Sequence, residues 1–222
     1  MKNLKITLLI VAAMICGMSV SAQNPYPQEN DPDAYSWNVK FSGERPSIKD
    51  FMNSFIEEPE DEHMNFLYTV WNNYLNNKPQ DSHHKITVDP KNGYVCIESL
   101  WEDEFETEDG TTEILNDHNI DEFCYWNCAD GKHKIFCTTS FCYRNGEPFM
   151  GQFDGIDFYV YNNATRKMTL ITSEDMGIVV NTENAEVTYT LPRVGKDLKA
   201  TIYKSDGSSQ ERIFTWTGYK FK

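Results

Sequence analysis

Four residues in one short stretch carry most of the chemistry open to this chain: Cys124, Cys128, His133 and Cys137. Asp130-Gly131 between them suits a two-residue type I′ hairpin turn. That register sets Cys124 opposite Cys137, Trp126 opposite Ile135 and Cys128 opposite His133, all on one face. Counting outward, Ala129 and Lys132 form the hydrogen-bonded pair, so the three named pairs are the closer, non-hydrogen-bonded kind. Cys124 and Cys137 then stand within disulfide reach. Two readings are open to the pair: a cross-strand disulfide, whose direct geometry is often strained, and two buried, reduced thiols that behave as small hydrophobes. Cys128 beside His133 has the makings of a thiolate and its base. No third group that would orient the histidine and no oxyanion donor can be read nearby, so a packed strand pair is the better reading. Structural zinc draws its ligands from Cys-x2-Cys knuckles, whereas the spacing here is Cys-x3-Cys along a strand. No Cys-x-x-Cys is present for disulfide exchange. The sequence nominates no catalytic residue, no cofactor and no metal ligand.

Other polar clusters are less specific. Glu102-Asp103-Glu104, Glu106 and Glu108-Asp109-Gly110 offer oxygen ligands, yet lack the alternating acidic order of a calcium loop. Asp154-Gly155-Ile156-Asp157 has the same weakness. A glycosidase needs two carboxylates at a set separation. With 34 acids in the chain, a fitting pair says nothing. His83-His84 follows Asp81 in a loop and reads as solvated. Trp101, Trp126, Trp216 and Tyr219 have the aromatic surface a sugar would need, but their strand alternation predicts core positions. Asn163-Ala164-Thr165 fits the N-glycosylation sequon.

The elements that must position these residues fall into two halves. Residues 23–45 are rich in Pro, Asn and Asp and read as an extended arm, with Tyr35 and Trp37 anchoring it as a strand. Ser47 caps a helix with Asp50 three residues on. Ile48, Phe51, Met52, Phe55 and Ile56 make its apolar stripe. A second helix opens at Pro59-Glu60-Asp61-Glu62, acids suited to the positive end of the dipole. It buries Met64, Leu67, Tyr68, Trp71, Tyr74 and Leu75. The helical hairpin spans 46–78. From residue 85 the apolar period changes to two. Strands are expected at 86–88, 94–100, 123–141, 156–161, 168–172, 186–191 and 198–203, then from Arg212 to Phe221. A polar acidic loop is expected from Glu102 to Asn119. Asn145-Gly146 and Asp206-Gly207 mark further turns. Helices first and strands afterwards give an α+β fold, with the helical hairpin packed on a mainly antiparallel sheet (meander, sandwich or partial barrel) in one domain over 46–222.

Residues 1–22 read as a secretory leader: basic Lys2 and Lys5, an apolar run from Ile6 to Met14, and small residues before Gln23. That run is short of the roughly 20 residues a membrane anchor needs. The chain has 222 residues and a net charge of −14, which becomes −16 without Lys2 and Lys5. Such a charge opposes nucleic acid and anionic membranes. Aromatics at 14% argue against disorder. Export makes disulfides available, though Cys96, Cys124, Cys128, Cys137 and Cys142 are odd in number.

Asn92-Gly93-Tyr94-Val95, Cys124-Tyr125-Trp126-Asn127, Gly131-Lys132-His133-Lys134 and the closing Trp216-Thr217-Gly218-Tyr219-Lys220-Phe221 resemble segments of small exported bacterial proteins of unknown function. The resemblance implies no activity. Taken together, the sequence predicts an exported, non-enzymatic binding module, periplasmic or extracellular. Its partner would be a protein, a glycan or a small molecule. A hydrolase using carboxylates or the Cys128/His133 pair, and a structural envelope component, are the alternatives.

Overall fold

The computed structural model describes residues 24–56, 62–107, 109–149, 154–181 and 185–222, and in the second helix the side chains from residue 66 onward. The predicted leader and the start of the second helix at Pro59-Glu60-Asp61 lie outside the described residues. Helix α1 (Ile48–Phe55) begins with a complete capping box. Ser47 Oγ takes the Asp50 amide, and Asp50 Oδ2 takes the Ser47 amide at 2.7 Å. Ile48, Phe51 and Met52 are buried, as the stripe requires. Helix α2 (Glu62–Leu75) turns Leu67, Val70 and Trp71 inward. The Trp71 indole N–H donates to Asn53 Oδ1 at 2.7 Å and ties the two helices together.

A large sheet contains β1 (Ser36–Asn38), β2 (His84–Asp89), β3 (Tyr94–Glu106), β4 (Thr112–Asn127), β5 (His133–Arg144), β6 (Glu147–Pro148), β7 (Gly155–Asn162) and β8 (Lys167–Ile171). Its order is β2-β3-β4-β5-β7-β8-β1, with β6 on β5, and these pairings are antiparallel. The chain therefore lays β1 on the β8 edge, crosses one face as the helical pair, enters the opposite edge as β2, and meanders back to meet β1. The second face carries a three-stranded sheet of β9 (Ala185–Thr190), β10 (Leu198–Lys204) and β11 (Ser209–Phe214). The result is an α+β arrangement of stacked layers, not a closed barrel.

Strand alternation sorts the side chains between two cores. Val95, Ile97, Phe123, Phe136, Tyr159 and Tyr161 face the helices. Phe51 lies edge-on to Tyr125 and Tyr161, within 5.3 Å between ring centres. Cys124, Trp126, Ile135, Cys137, Phe158 and Val160 face the small sheet, where Leu198, Phe214, Trp216 and Phe221 meet them.

The segment from Glu102 to Asn119 corrects the sequence reading. It is a β-ribbon, not a loop: β3 and β4 stay in register out to Glu106 and Thr112, and only Thr107–Thr111 turns. Both faces of the ribbon meet water, so nothing imposes the apolar-polar alternation by which strands are recognised.

Candidate functional site

The β4–β5 loop sets the geometry around Cys128 and His133. Gly131 takes φ +67°, but Asp130 does not turn positive, so no type I′ turn forms there. The loop instead has four residues, 129–132. The Gly131 amide donates back to the Cys128 carbonyl, and the Cys128 amide donates to the His133 carbonyl at 3.0 Å. Asp130 favours this loop because Oδ1 accepts both the Lys132 and the His133 amides. The predicted register is present, with Cys124 opposite Cys137 and Cys128 opposite His133. Its hydrogen-bond phase is reversed, since Cys128/His133 is a hydrogen-bonded pair and alternation gives Cys124/Cys137 the same phase.

That phase explains a second correction: Cys124 and Cys137 form no disulfide. Both are free, buried thiols, and Cys96, Cys128 and Cys142 are free as well. Directly opposite side chains at a hydrogen-bonded pair have Cβ atoms up to about 5.5 Å apart, against the roughly 3.8 Å of a disulfide. The two thiols act as small core hydrophobes between Trp126, Ile135 and Phe158. Burial pushes both well above the ordinary thiol value. It pushes Cys96 and Cys128 up to about 12 and Cys142 to about 11.

His133 does not act on Cys128. Nδ1 lies 2.5 Å from Asp130 Oδ2 and Nε2 lies 3.1 Å from Glu29 Oε2, so each nitrogen faces a carboxylate. Its side chain is 7% exposed and that of Glu29 is 9% exposed. The Cys128 sulfur lies 3.2 Å from the Tyr26 hydroxyl, which donates to the Tyr219 carbonyl at 2.8 Å. With a protonated thiol and no ring nitrogen free to accept its proton, the pair has no means of making a nucleophile. Asp130, three residues before His133, is the orienting group that the sequence reading missed, although its spacing across the turn was a local signal for it. Glu29 and Tyr26, about a hundred residues away, left no such signal.

The β3–β4 ribbon projects beyond the paired core of the sheet. Beyond Ser99, β3 has no β2 neighbour, and before Asp117, β4 has no β5 neighbour. Both edges therefore present backbone groups without a strand partner among the described residues. Trp101 is 44% exposed, Phe105 41% and Ile114 48%, on a strand pair that also carries Glu102, Asp103, Glu104, Glu106 and Glu113. Among the described residues, Asp117 takes a bidentate bond from Arg144, and Asp109 is folded into the turn by Thr107 and Thr111. Trp101 stacks on His83 at 5.1 Å with rings 4° apart.

Comparison of the chain with protein-family models, with curated proteins and with solved structures gives no match. The remaining predicted positions divide by burial. Trp126 and Trp216 are core residues as expected, while Trp101 and Tyr219 are exposed. His84 is no solvated loop residue: it starts β2, bonds Asp81 at 2.7 Å and packs on Phe66. Asn163 lies in the exposed β7–β8 turn and donates to the Gly131 carbonyl. Among the described residues, no group of three or more His, Cys, Asp or Glu is arranged to hold a metal, and no helix is long and apolar enough to cross a membrane.

Proposed function

We propose that this chain is an exported, non-enzymatic binding module that takes a cationic, extended segment of another protein onto the β3–β4 ribbon. One observation carries the reading: the ribbon combines open strand edges, exposed aromatic and aliphatic side chains, and unneutralised carboxylates in a single projecting element. A strand added to an open edge gains main-chain hydrogen bonds, and flanking side chains supply specificity. Glu102, Glu104 and Glu106 lie two residues apart on one face and repel one another. Lysines or arginines of a partner relieve that repulsion. A second copy of the same ribbon adds to it, so the acids select against self-pairing while leaving the edge open to a basic chain. The leader reading of residues 1–22 and the resemblance to small exported bacterial proteins belong to the same proposal.

The test uses two synthetic probes of equal length, one alternating Lys with Val and one alternating Glu with Val, titrated into the protein and read by calorimetry. The Lys/Val peptide is expected to bind, more weakly as salt rises, while the Glu/Val peptide does not. Trp101→Ala with Phe105→Ala is expected to weaken binding by roughly tenfold or more, since buried aromatic anchors dominate interface energy. Equal binding of the two peptides, or binding that survives loss of both aromatics, overturns the reading. Sequencing the N-terminus of the protein recovered outside the cytoplasm tests export, with Gln23 the expected first residue.

A further inference from the structure

The N-terminal arm is fastened to the β4–β5 hairpin end at one charged point. Glu29 sits in a short 3-10 turn (Pro27–Asn30), and its Oε2 accepts from His133 Nε2 and lies near the Asn162 amide. Its other oxygen, Oε1, is buried with no hydrogen-bond partner. Asp130 in the hairpin loop accepts from Nδ1. Beside the same ring are Tyr26 of the arm, edge-on at 5.4 Å, and the Asn162 side chain at the end of β7, while Cys128, just past β4, bonds the Tyr26 hydroxyl. Tyr26 and Cys128 both stay neutral at ordinary pH, since burial raises each. The titrating set is therefore His133, Glu29 and Asp130.

Ionised carboxylates only accept, so a ring set between two of them bonds both only as an imidazolium, because the neutral ring has one N–H only. We propose that His133 is a proton-operated latch for the arm: charged, it holds residues 24–34 against the hairpin end, and on losing its proton it lets them go. The neutral ring turns a lone pair toward one of two carboxylates. If that carboxylate is Glu29, a largely buried negative charge keeps only neutral donors, and burying an unpaired charge is costly. Release stops at Tyr35, because its carbonyl accepts the Leu170 amide and Ser36–Asn38 pair with β8.

The direction follows from linkage. The Glu29 bond leads the effects that raise His133 above its ordinary 6.5, so its contribution is complete below that value and lost as pH rises through the folded value. Burial raises Glu29 and Asp130, but bonds from His133 and neighbouring donors outweigh it and lower both. Their contribution is complete above the ordinary 4.5 and 3.8 and lost as pH falls through the lowered values. The latch is closed over the window between these groups and opens on the alkaline side.

Hydrogen exchange of the 26–31 segment tests this, with rates corrected for the intrinsic pH dependence and β5 as an internal reference. Between about pH 5.5 and about pH 8.5, protection of the segment is expected to fall by roughly tenfold or more, while β5 keeps its own. In His133→Gln the segment is expected to be poorly protected at both values. No fall in the natural protein, or the same fall in His133→Gln, overturns the proposal. Should His133→Gln fail to fold, nitrogen chemical shifts of His133 in the natural protein decide. Two protonated nitrogens at about pH 5.5, with loss of one tracking loss of protection, support the latch, and a neutral ring at that pH overturns it.

Discussion

Cys128 lies beside an ionised network and stays protonated, because the network points elsewhere. His133 spends both nitrogens on Glu29 and Asp130, and burial holds the thiol near 12. All five cysteines among the described residues are free, so a chain beginning at Gln23 is expected, once unfolded, to titrate as five thiols with a thiol reagent. Adding a reductant to the native protein is expected to leave its melting temperature unchanged. A fall on reduction would mean a disulfide had formed. Gly177 is a residue-scale constraint of another kind. At φ +78°, a Cβ there would lie 2.3 Å from the Phe221 carbonyl oxygen, a backbone atom that cannot rotate away. Gly177→Ala is expected to cost about 1–3 kcal/mol by chemical denaturation, because it adds left-handed strain to the displacement of the C-terminal segment.

At the scale of elements, the ribbon and the hairpin end show how neighbouring strands can have different fates. Around Cys124 and Ile135 each strand face is buried, and a slip of one residue would turn the core outward, so the register is strongly held. Past Leu100 both faces are wet and only the ladder continues the strands. The ribbon therefore adds little to the core. Excising 103–115 and joining Glu102 to Asn116 through Asn-Gly is expected to leave the melting temperature within about 2–4 °C, a shift of roughly 1 kcal/mol in a chain of this size. The same deletion is expected to abolish binding of the Lys/Val peptide. A large loss of stability would assign the ribbon a structural role instead.

For the whole molecule, the question is what joins the two sheets. Apolar contact dominates, and polar ties cross it as well: the Trp126 indole N–H donates to the Lys196 carbonyl at 2.9 Å, Arg193 bonds Asp89, and Glu122 makes a buried tie. Glu122, on β4, takes the Tyr94 hydroxyl from β3 and the Leu191 amide just past β9 at 2.8 Å. Burial raises this carboxyl despite both donors. Its protonated form is therefore the one the fold favours. That contribution is present below the ordinary carboxylate value and lost as pH rises through the folded one. Glu122→Ala leaves the Leu191 amide buried without its acceptor and is expected to destabilise the protein by about 1–3 kcal/mol. Glu122→Gln keeps the shape without the charge. It is expected to flatten the decline of stability between mildly acidic and neutral pH, as read from denaturation midpoints. An unchanged pH profile would count against the buried acid.

Local signals along the chain suffice for the capped first helix, the alternating strands of the core and the pairing of Cys124 with Cys137. Ser47 with Asp50 and the spacing of Ile48, Phe51 and Met52 are local signals, and the last pairing follows from a turn only a few residues away. Tertiary structure decided what local signals do not encode. The hydrogen-bond phase of the β4–β5 hairpin turned on whether Asp130 would enter the left-handed region or use its carboxylate to bond two amides. The ribbon became strand because β3 and β4 extend a ladder begun in the core, not because its own residues alternate. Glu29 met His133 because the arm folds back over a hairpin end about a hundred residues later. Contacts of that separation depend on where whole layers come to rest, and the spacing of residues along the chain carries no record of it.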